Sequence, residues 1–348
     1  MASLDQIELL RKIDTEGMRD VLAEFPLRVE SAFAQPLPPF NFTADKIRSI
    51  AIVGMGGSAI GGDLAQAALI DRVCLPSAVL RGATLPAWVG EDTLVIAVSY
   101  SGNTLETLTA YEEAKRRQCL VVAVSHGGAL AERASQDGIP CVALHEYPQP
   151  RLAGGVLTAA MMQILAWADG ISLEPTCMEI VKLLTTQQPQ LIPARPTQDN
   201  YAKHLAYKLF DRLPVVVGVG VCAPVARRWK TQINENAKTI CVKETFPELL
   251  HNTIEGLKNP LRIADDSVWL LLDSPQDRAV PAGQYHAFAE LLERTGIAVE
   301  RVVAPAGDII AQQWWLMYLG DWVSYYLACL NDINPMPVPT IQAFKKNT

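Results

Sequence analysis

Residues 93–108 read Thr-Leu-Val-Ile-Ala-Val-Ser-Tyr-Ser-Gly-Asn-Thr-Leu-Glu-Thr-Leu. The apolar, largely β-branched run from Leu94 to Val98 predicts a buried strand. A loop rich in hydroxyl groups follows, and leucines at 105 and 108 and Tyr111 then recur at helical spacing. Because strands and helices continue to alternate on both sides of this stretch, the sequence predicts an α/β fold with a parallel sheet.

The loop Ser99-Tyr-Ser-Gly-Asn-Thr104 has the chemistry of an anion site. The start of a helix presents unpaired N–H groups and the positive end of the helix dipole, and Gly102 lets the backbone approach a ligand closely. Ser99, Ser101 and Thr104 can each donate to a phosphate oxygen without adding formal charge. One such residue alone would indicate an ordinary helix cap. Three hydroxyls and a glycine in one turn favour a phosphate site.

A second loop, Gly54-Met-Gly-Gly-Ser-Ala59, also follows a strand and opens a helix. It formally matches a dinucleotide fingerprint, which further requires an acidic residue about 20 positions on. The next strand instead ends Leu80-Arg-Gly82. A sugar-phosphate site would use both loops, with Ser58 and the amides of Gly56 and Gly57 facing the ligand. We therefore favour a sugar phosphate over a nucleotide.

Composition and charge limit the classes of protein to which the chain can belong. A chain of 348 residues with 49% apolar and 19% charged residues predicts a globular protein of about two domains. The net charge of −7 argues against a nucleic-acid partner, which requires a basic face. The seven scattered cysteines indicate reduced thiols in the cytoplasm. The apolar stretch Trp314–Leu330 contains Gly320 and Asp321, so we expect a buried or subunit-interface helix and no membrane partner.

The pattern divides the chain into four parts: an N-terminal helical segment (1–45), a first α/β domain (46–153), a linking helix and connector (154–200), and a second α/β domain with a C-terminal helix and tail (201–348). Residues 3–34 are expected to cover one face of the first domain. The predicted strands are Ile50–Val53, Ala78–Leu80, Leu94–Val98, Leu120–Val124, Cys141–Leu144, Val215–Val217, Ile240–Val242, Val268–Leu272 and Val299–Val303.

The two halves resemble each other as a diverged internal duplication. Ile52-Val-Gly-Met-Gly56 matches Val216-Val-Gly-Val-Gly220. The second copy has Asp273-Ser-Pro-Gln-Asp277 where the first has its hydroxyl loop. Because two carboxylates would repel phosphate, we expect one phosphate site per chain, in the first half.

Two acid/base candidates lie in the second half. Glu235 points away from the apolar helix face formed by Ala226, Trp229, Ile233 and Ala237. Most such glutamates are solvated surface carboxylates. His251 shares a predicted helix with Glu248, which would form a capping box with Thr245. A lone histidine beside acids is usually a paired surface residue.

Five short motifs together resemble a known family. They are Ser-Tyr-Ser-Gly-Asn-Thr-x-Glu-Thr from Ser99, Gly-Met-Gly-Gly-Ser from Gly54, Gln-Ile-Asn-Glu-Asn from Gln232, Pro-Glu-x-x-His-Asn from Pro247, and the C-terminal segment from Asn334. The chain is similar to the bifunctional phosphoglucose/phosphomannose isomerases, which are SIS-domain sugar isomerases. The resemblance implies two SIS-type α/β/α sandwich domains related by duplication. It also implies interconversion of glucose 6-phosphate or mannose 6-phosphate with fructose 6-phosphate, without a metal or other cofactor.

The resemblance also assigns roles. It implies that Glu235 is the catalytic base, that Arg151 faces the reacting carbons, and that Lys345 is the catalytic lysine of the closing segment, with Lys346 as the alternative. Thr340 is the nearest candidate for a threonine close to that lysine. His251 would reach the active site of the neighbouring subunit, which implies a homodimer.

Three alternatives remain open at this level. A metal-dependent phosphomannose isomerase is disfavoured, because none of the histidines at 126, 145, 204, 251 and 286 has the spacing of a local zinc site. An isomerase of another phosphosugar would use the same loops. A sugar-phosphate sensor would use them too, but would have no need of Glu235 with His251.

Overall fold

The computed structural model describes residues 3–281 and 283–346, which form two compact units. Unit 2 is the continuous segment Leu27–Met178, and unit 1 combines the chain before it with the chain after it. Each unit contains one parallel sheet.

The strands are β1 Ser49–Gly54, β2 Ser77–Leu80, β3 Thr93–Val98, β4 Leu120–Ser125, β5 Cys141–Ala143, β6 Leu213–Val219, β7 Val242–Phe246, β8 Ser267–Asp273 and β9 Ala298–Val303. The helices are α1 Ile7–Ile13, α2 Met18–Ala23, α3 Phe25–Ala34, α4 Gly56–Ala68, α5 Leu105–Arg116, α6 Gly128–Gln136, α7 Gly154–Ala168, α8 Glu174–Gln187, α9 Tyr201–Leu209, α10 Ala223–Asn236, α11 Ile263–Asp266, α12 Gln284–Arg294, α13 Ile309–Leu330 and α14 Pro339–Lys346. The predicted α/β class is confirmed.

The sheet of unit 2, called sheet A, has the strand order β2-β1-β3-β4-β5. Strand β3 lies in the middle, and all its residues are buried, which explains its continuous apolar sequence. The sheet of unit 1, sheet B, has the order β7-β6-β8-β9. When β1–β4 are matched with β6–β9, the two orders are the same. This topology agrees with the duplication that the sequence predicts.

The most apolar helices are buried. In α13, every residue from Ile310 to Leu330 is buried, as expected for the stretch that begins at Trp314. Among the described residues, Pro150–Ala168 is long and apolar enough to cross a membrane, and 89% of its apolar window is buried inside the protein. Burial of this kind is typical of a core helix in a soluble protein.

The residues before unit 2 pack within unit 1, whereas the sequence predicted residues 3–34 to pack on the first domain. Phe25 stacks on Tyr318 of α13 at 4.9 Å between ring centroids, and the Tyr318 hydroxyl donates to the Leu22 carbonyl at 3.0 Å. This segment therefore belongs to unit 1. An amphipathic pattern predicts that one face is buried, but it does not identify the partner.

A buried polar seam joins α10 to α13. Arg228 donates to Asp321 at 2.7 Å, and both side chains are only 2% exposed. Gln232 donates to the other carboxylate oxygen of Asp321 at 2.8 Å. The helices also approach closely, because a Cβ built on Gly320 would lie 2.3 Å from Trp229 Nε1. The seam thus fixes the register of α10 on α13.

We expect Asp321→Asn to lower the free energy of unfolding by about 3–5 kcal/mol, because it leaves a buried guanidinium without this counter-charge. Asp273→Asn is the matched control, since Asp273 pairs with Arg301, whose side chain is 41% exposed. Its cost should be at most about 1 kcal/mol. Urea denaturation of both variants measures the difference, and equal losses would contradict the role of the seam.

Candidate active site

The candidate phosphate loops lie at the carboxyl edge of sheet A. The glycine-rich turn leads from β1 into α4, and the hydroxyl loop leads from β3 into α5. Because β1 and β3 are neighbouring parallel strands, their carboxyl ends are adjacent. This is the edge at which open parallel sheets bind ligands.

Hydrogen bonds join the two loops. The backbone N–H of Tyr100 donates to Ser58 Oγ at 3.3 Å. Ser99 Oγ donates to Thr104 Oγ1 at 2.9 Å, and the Thr104 N–H lies 3.4 Å from Ser99 Oγ. Ser58 and Ser99 are buried, whereas Ser101 is exposed and Thr104 is partly exposed. The first two hydroxyls therefore also hold the loops in place, and Ser101 is the most open of the four.

Gly102 is required by a close approach of backbones. Its φ is +70°, and a Cβ built on it would lie 1.7 Å from the Gly127 carbonyl oxygen. Ser125 supports this contact, because its hydroxyl lies 2.7 Å from the carbonyl oxygens of both Ser99 and Gly127. Gly102 was identified from the sequence, whereas Ser125 was missed; its position at the end of the neighbouring β4 was the available signal.

The structure places Arg151 beside the glycine-rich turn. A Cβ built on Gly57 would lie 3.8 Å from Arg151 Cα, whereas Gly56 has nothing within that range. Arg151 is 6% exposed, and its guanidinium donates to Gln149 Oε1 at 3.3 Å. The sequence-predicted residues of unit 2 are thus brought together at one edge of the sheet.

Tyr100 connects the hydroxyl loop to the segment that leads to Arg151. Its hydroxyl accepts a hydrogen bond from the Tyr147 N–H, and its ring stacks on His126 at 5.6 Å. Burial raises the pKa of Tyr100 above its ordinary value, so the hydroxyl stays protonated at neutral pH. No role was predicted for Tyr100 from the sequence, where an aromatic residue between two loop serines was the only signal.

In unit 1, Glu235 lies half-buried in the last turn of α10. The asparagines on both sides of it are anchored. Asn236 Nδ2 donates to Ser324 Oγ of α13 at 2.9 Å, and Asn234 Oδ1 accepts from the Cys241 N–H at 2.9 Å. The predicted apolar face of α10 is fully buried. These anchors fix the direction in which the Glu235 carboxylate leaves the helix.

The predicted capping box near His251 is wrong. Thr245 belongs to β7, where it pairs with Gly218 of β6, and the short 3₁₀ helix Glu248–His251 has no side-chain cap. The next segment folds against β7, since Thr253 Oγ1 donates to Glu244 at 3.1 Å. Strand β7 also begins later than the predicted Ile240–Val242. His251 itself is exposed.

The C-terminal candidates lie in α14. Thr340 is exposed in its first turn. Lys345 and Lys346 lie in its last turn, and their side chains are outside what the structure describes.

Matching strand orders in the two sheets, with glycine and hydroxyl loops at the carboxyl edge of sheet A, define an α/β protein of the sugar isomerase (SIS) class. Residues 198–347 match the family model described as the bacterial phospho-glucose isomerase C-terminal SIS domain. A glucose-6-phosphate isomerase-like protein from Thermus thermophilus has the same fold, with a TM-score of 0.68, 21% identity and coverage of 100% of both chains.

Two relatives narrow the class. The chain is 36% identical to the bifunctional phosphoglucose/phosphomannose isomerase of Caldicellulosiruptor bescii, over 88% of this chain and 91% of the relative. It is 31% identical to the enzyme of that name from Aquifex aeolicus, over 86% of this chain and 90% of the relative. The chain therefore belongs to the bifunctional phosphoglucose/phosphomannose isomerase family.

We expect Gly102→Ala to destabilise the hydroxyl loop by about 2 kcal/mol or more, because a methyl group cannot share space with the Gly127 carbonyl and φ is positive. It should also weaken binding of inorganic phosphate. Gly90→Ala is the control, since nothing lies within 4 Å of a Cβ at that position. Thermal unfolding with and without phosphate tests both effects, and a wild-type phosphate response in Gly102→Ala would contradict the assignment.

Proposed function

We propose that the protein interconverts glucose 6-phosphate and mannose 6-phosphate with fructose 6-phosphate through a cis-enediolate. The observation that carries the proposal is the convergence of two candidate phosphate loops and Arg151 at one edge of sheet A. Family membership supports the substrate pair, since relatives over most of the chain are named for both activities.

The phosphate group anchors the substrate in this proposal. Ser101 and Thr104 would donate from the hydroxyl loop, together with Ser58, Ser99 and the amides of Gly56 and Gly57. A sugar held by its phosphate has its reacting carbons placed in one position, which lowers the entropic part of the barrier.

The reaction then requires acid/base groups. His251, with Lys345, would move the proton that opens the sugar ring. Glu235 would take the proton from C2 of the aldose and return it to C1, which gives the ketose. The enediolate between these steps is anionic, so the fixed cation of Arg151 stabilises it more than the neutral ground state. Glucose 6-phosphate and mannose 6-phosphate are epimers at C2, and both give the same enediolate. One site would therefore serve both substrates.

We further propose that the enzyme is a homodimer in which His251 acts on a substrate bound by the partner. The support is that His251 is exposed and lies on the same unit as exposed apolar residues at the β7 edge. Ile240 is 76% exposed and Val242 is 39% exposed. An edge strand with exposed apolar side chains is usually covered in the working assembly.

Cytoplasmic location and a role in glycolysis and gluconeogenesis belong to the same proposal. Burial raises the pKa of Cys177 to about 11 and those of Cys241 and Cys329 to about 12. These thiols are therefore protonated and unreactive at neutral pH, which suits a protein that works with reduced cysteines.

The direct test follows fructose 6-phosphate formation from glucose 6-phosphate and, separately, from mannose 6-phosphate, in excess EDTA. We expect comparable turnover of both, because the proposed steps use only protein side chains. Binding of either sugar phosphate with turnover of neither would refute the isomerase and favour a sensor. Loss of activity in EDTA that returns with added metal would refute the proposed chemistry.

A mixing experiment tests the acid/base roles and the dimer together. Glu235→Gln and His251→Ala should each lower kcat about 10²–10⁴-fold, since general acid/base groups contribute that much. If each site combines Glu235 of one chain with the partner's His251, mixed dimers contain one intact site. Mixing the two inactive variants after subunit exchange should then restore about a quarter of wild-type activity.

Glu290→Gln is the control for the first variant, because Glu290 is a surface residue of α12 paired with His286 and Arg294. It should retain wild-type activity alone. No recovery on mixing, with subunit exchange confirmed by mass-tagged chains, would place both residues in the same chain's site and refute the shared arrangement.

A further inference from the structure

Unit 1 contains a copy of the glycine-rich turn of unit 2. Gly218-Val219-Gly220-Val221 lies at the carboxyl end of β6, as Gly54-Met55-Gly56-Gly57 lies at the carboxyl end of β1. Met55 has φ −124° and ψ 156°, and Val219 has φ −124° and ψ 145°. The glycines that follow are both left-handed, with φ of +51° and +47°. The backbones of the two turns therefore have matching angles at these two positions.

The two turns differ in what faces them. A Cβ built on Gly56 would meet nothing within 4 Å. A Cβ built on Gly220 would lie 2.2 Å and 2.5 Å from the carboxylate oxygens of Asp277. The space in front of the turn is thus open in unit 2 and filled by a carboxylate in unit 1.

The Asp277 carboxylate makes the contacts that a bound anion would make. Its Oδ2 accepts from the Val221 N–H at 2.8 Å, and Val221 is the counterpart of Gly57. Its Oδ1 accepts from the Ala279 N–H at 2.8 Å. Asp277 itself lies on the loop after β8, which is the counterpart of the hydroxyl loop after β3.

We propose that Asp277 is a built-in anion that occupies the unit 1 copy of the phosphate cradle, so that each chain has a single phosphate site. If the acidic residues only repelled phosphate, the Val221 N–H would be hydrogen-bonded to solvent. Instead it donates to the Asp277 carboxylate. The comparison rests on the proposed assignment of the unit 2 turn as a phosphate site. Removing the carboxylate should therefore create a second site for a small oxyanion.

The test measures the Tm of the protein as a function of inorganic phosphate concentration. Fructose 6-phosphate is present throughout, at a concentration that just saturates turnover. In Asp277→Ala, phosphate should raise the Tm by about 2 °C or more beyond its effect on wild type, because a ligand that binds only the folded state stabilises it. A crystal structure of this variant with phosphate should show the ion on the Val221 amide.

Two further variants control for charge and for loop damage. Asp277→Asn keeps an oxygen that can accept from Val221, so its phosphate response should equal that of wild type. Asp273→Ala removes the carboxylate at the end of β8, which pairs with Arg301, and it should also respond like wild type. If Asp277→Ala does not fold, Asp277→Ser is measured in its place.

A folded Asp277→Ala or Asp277→Ser variant with the wild-type phosphate response would overturn the proposal. So would an equal gain in Asp273→Ala. Failure of the proposed function is distinguishable, because it would appear in the wild type as absent turnover of the sugar phosphates. The proposal for unit 1 is tested only by the difference in phosphate-induced Tm shift between the variants and the wild type.

Discussion

The candidate phosphate loops depend on one close contact between two backbones, that of Gly102 with the Gly127 carbonyl. A side chain at position 102 would not fit between the two backbones. The hydroxyl loop therefore packs directly against the residues that follow β4. Ser125 bonds to carbonyls on both sides of this contact. With the loop fixed there, the Ser58 hydroxyl accepts a hydrogen bond from the Tyr100 N–H. The Tyr100 hydroxyl in turn accepts one from the N–H of Tyr147, in the segment that leads to Arg151. A ligand then meets donors that are already in place, which is how preorganised sites gain affinity.

Most of this edge was predictable from the sequence because it is local. A buried parallel strand must be a continuous apolar run, and the turns that follow it are marked by glycine and serine. The roles of Tyr100 and Ser125 were missed, because they come from contacts with residues 47 and 26 positions away in the sequence. The capping box at Thr245 failed for a similar reason: pairing with β6 draws that residue into β7. Local signals are reliable only where no tertiary contact competes for the same backbone groups.

The two units use one topology for different chemistry. In unit 2 the turns after β1 and β3 present donors at an open edge, which suits an anion. In unit 1 the proposed acid/base residues lie elsewhere: Glu235 is at the end of α10, and His251 follows β7. There the buried seam of Arg228, Gln232 and Asp321 and the bond from Asn236 to Ser324 hold the helix that carries Glu235. The role proposed for Glu235, which moves a proton between adjacent carbons, would require such a fixed support.

The chain order of the two units has a consequence for synthesis on the ribosome. Unit 2 is one continuous segment, so all of it is outside the ribosome once Met178 leaves the exit tunnel. It can then fold while the following residues are translated. Unit 1 cannot, because Leu22 and Phe25 pack against Tyr318 of α13, which is made 296 residues after Leu22. The segment around Leu22 and Phe25 therefore cannot make these contacts until α13 has emerged. Chaperones that shield nascent chains would act on this N-terminal segment for longer than on any part of unit 2.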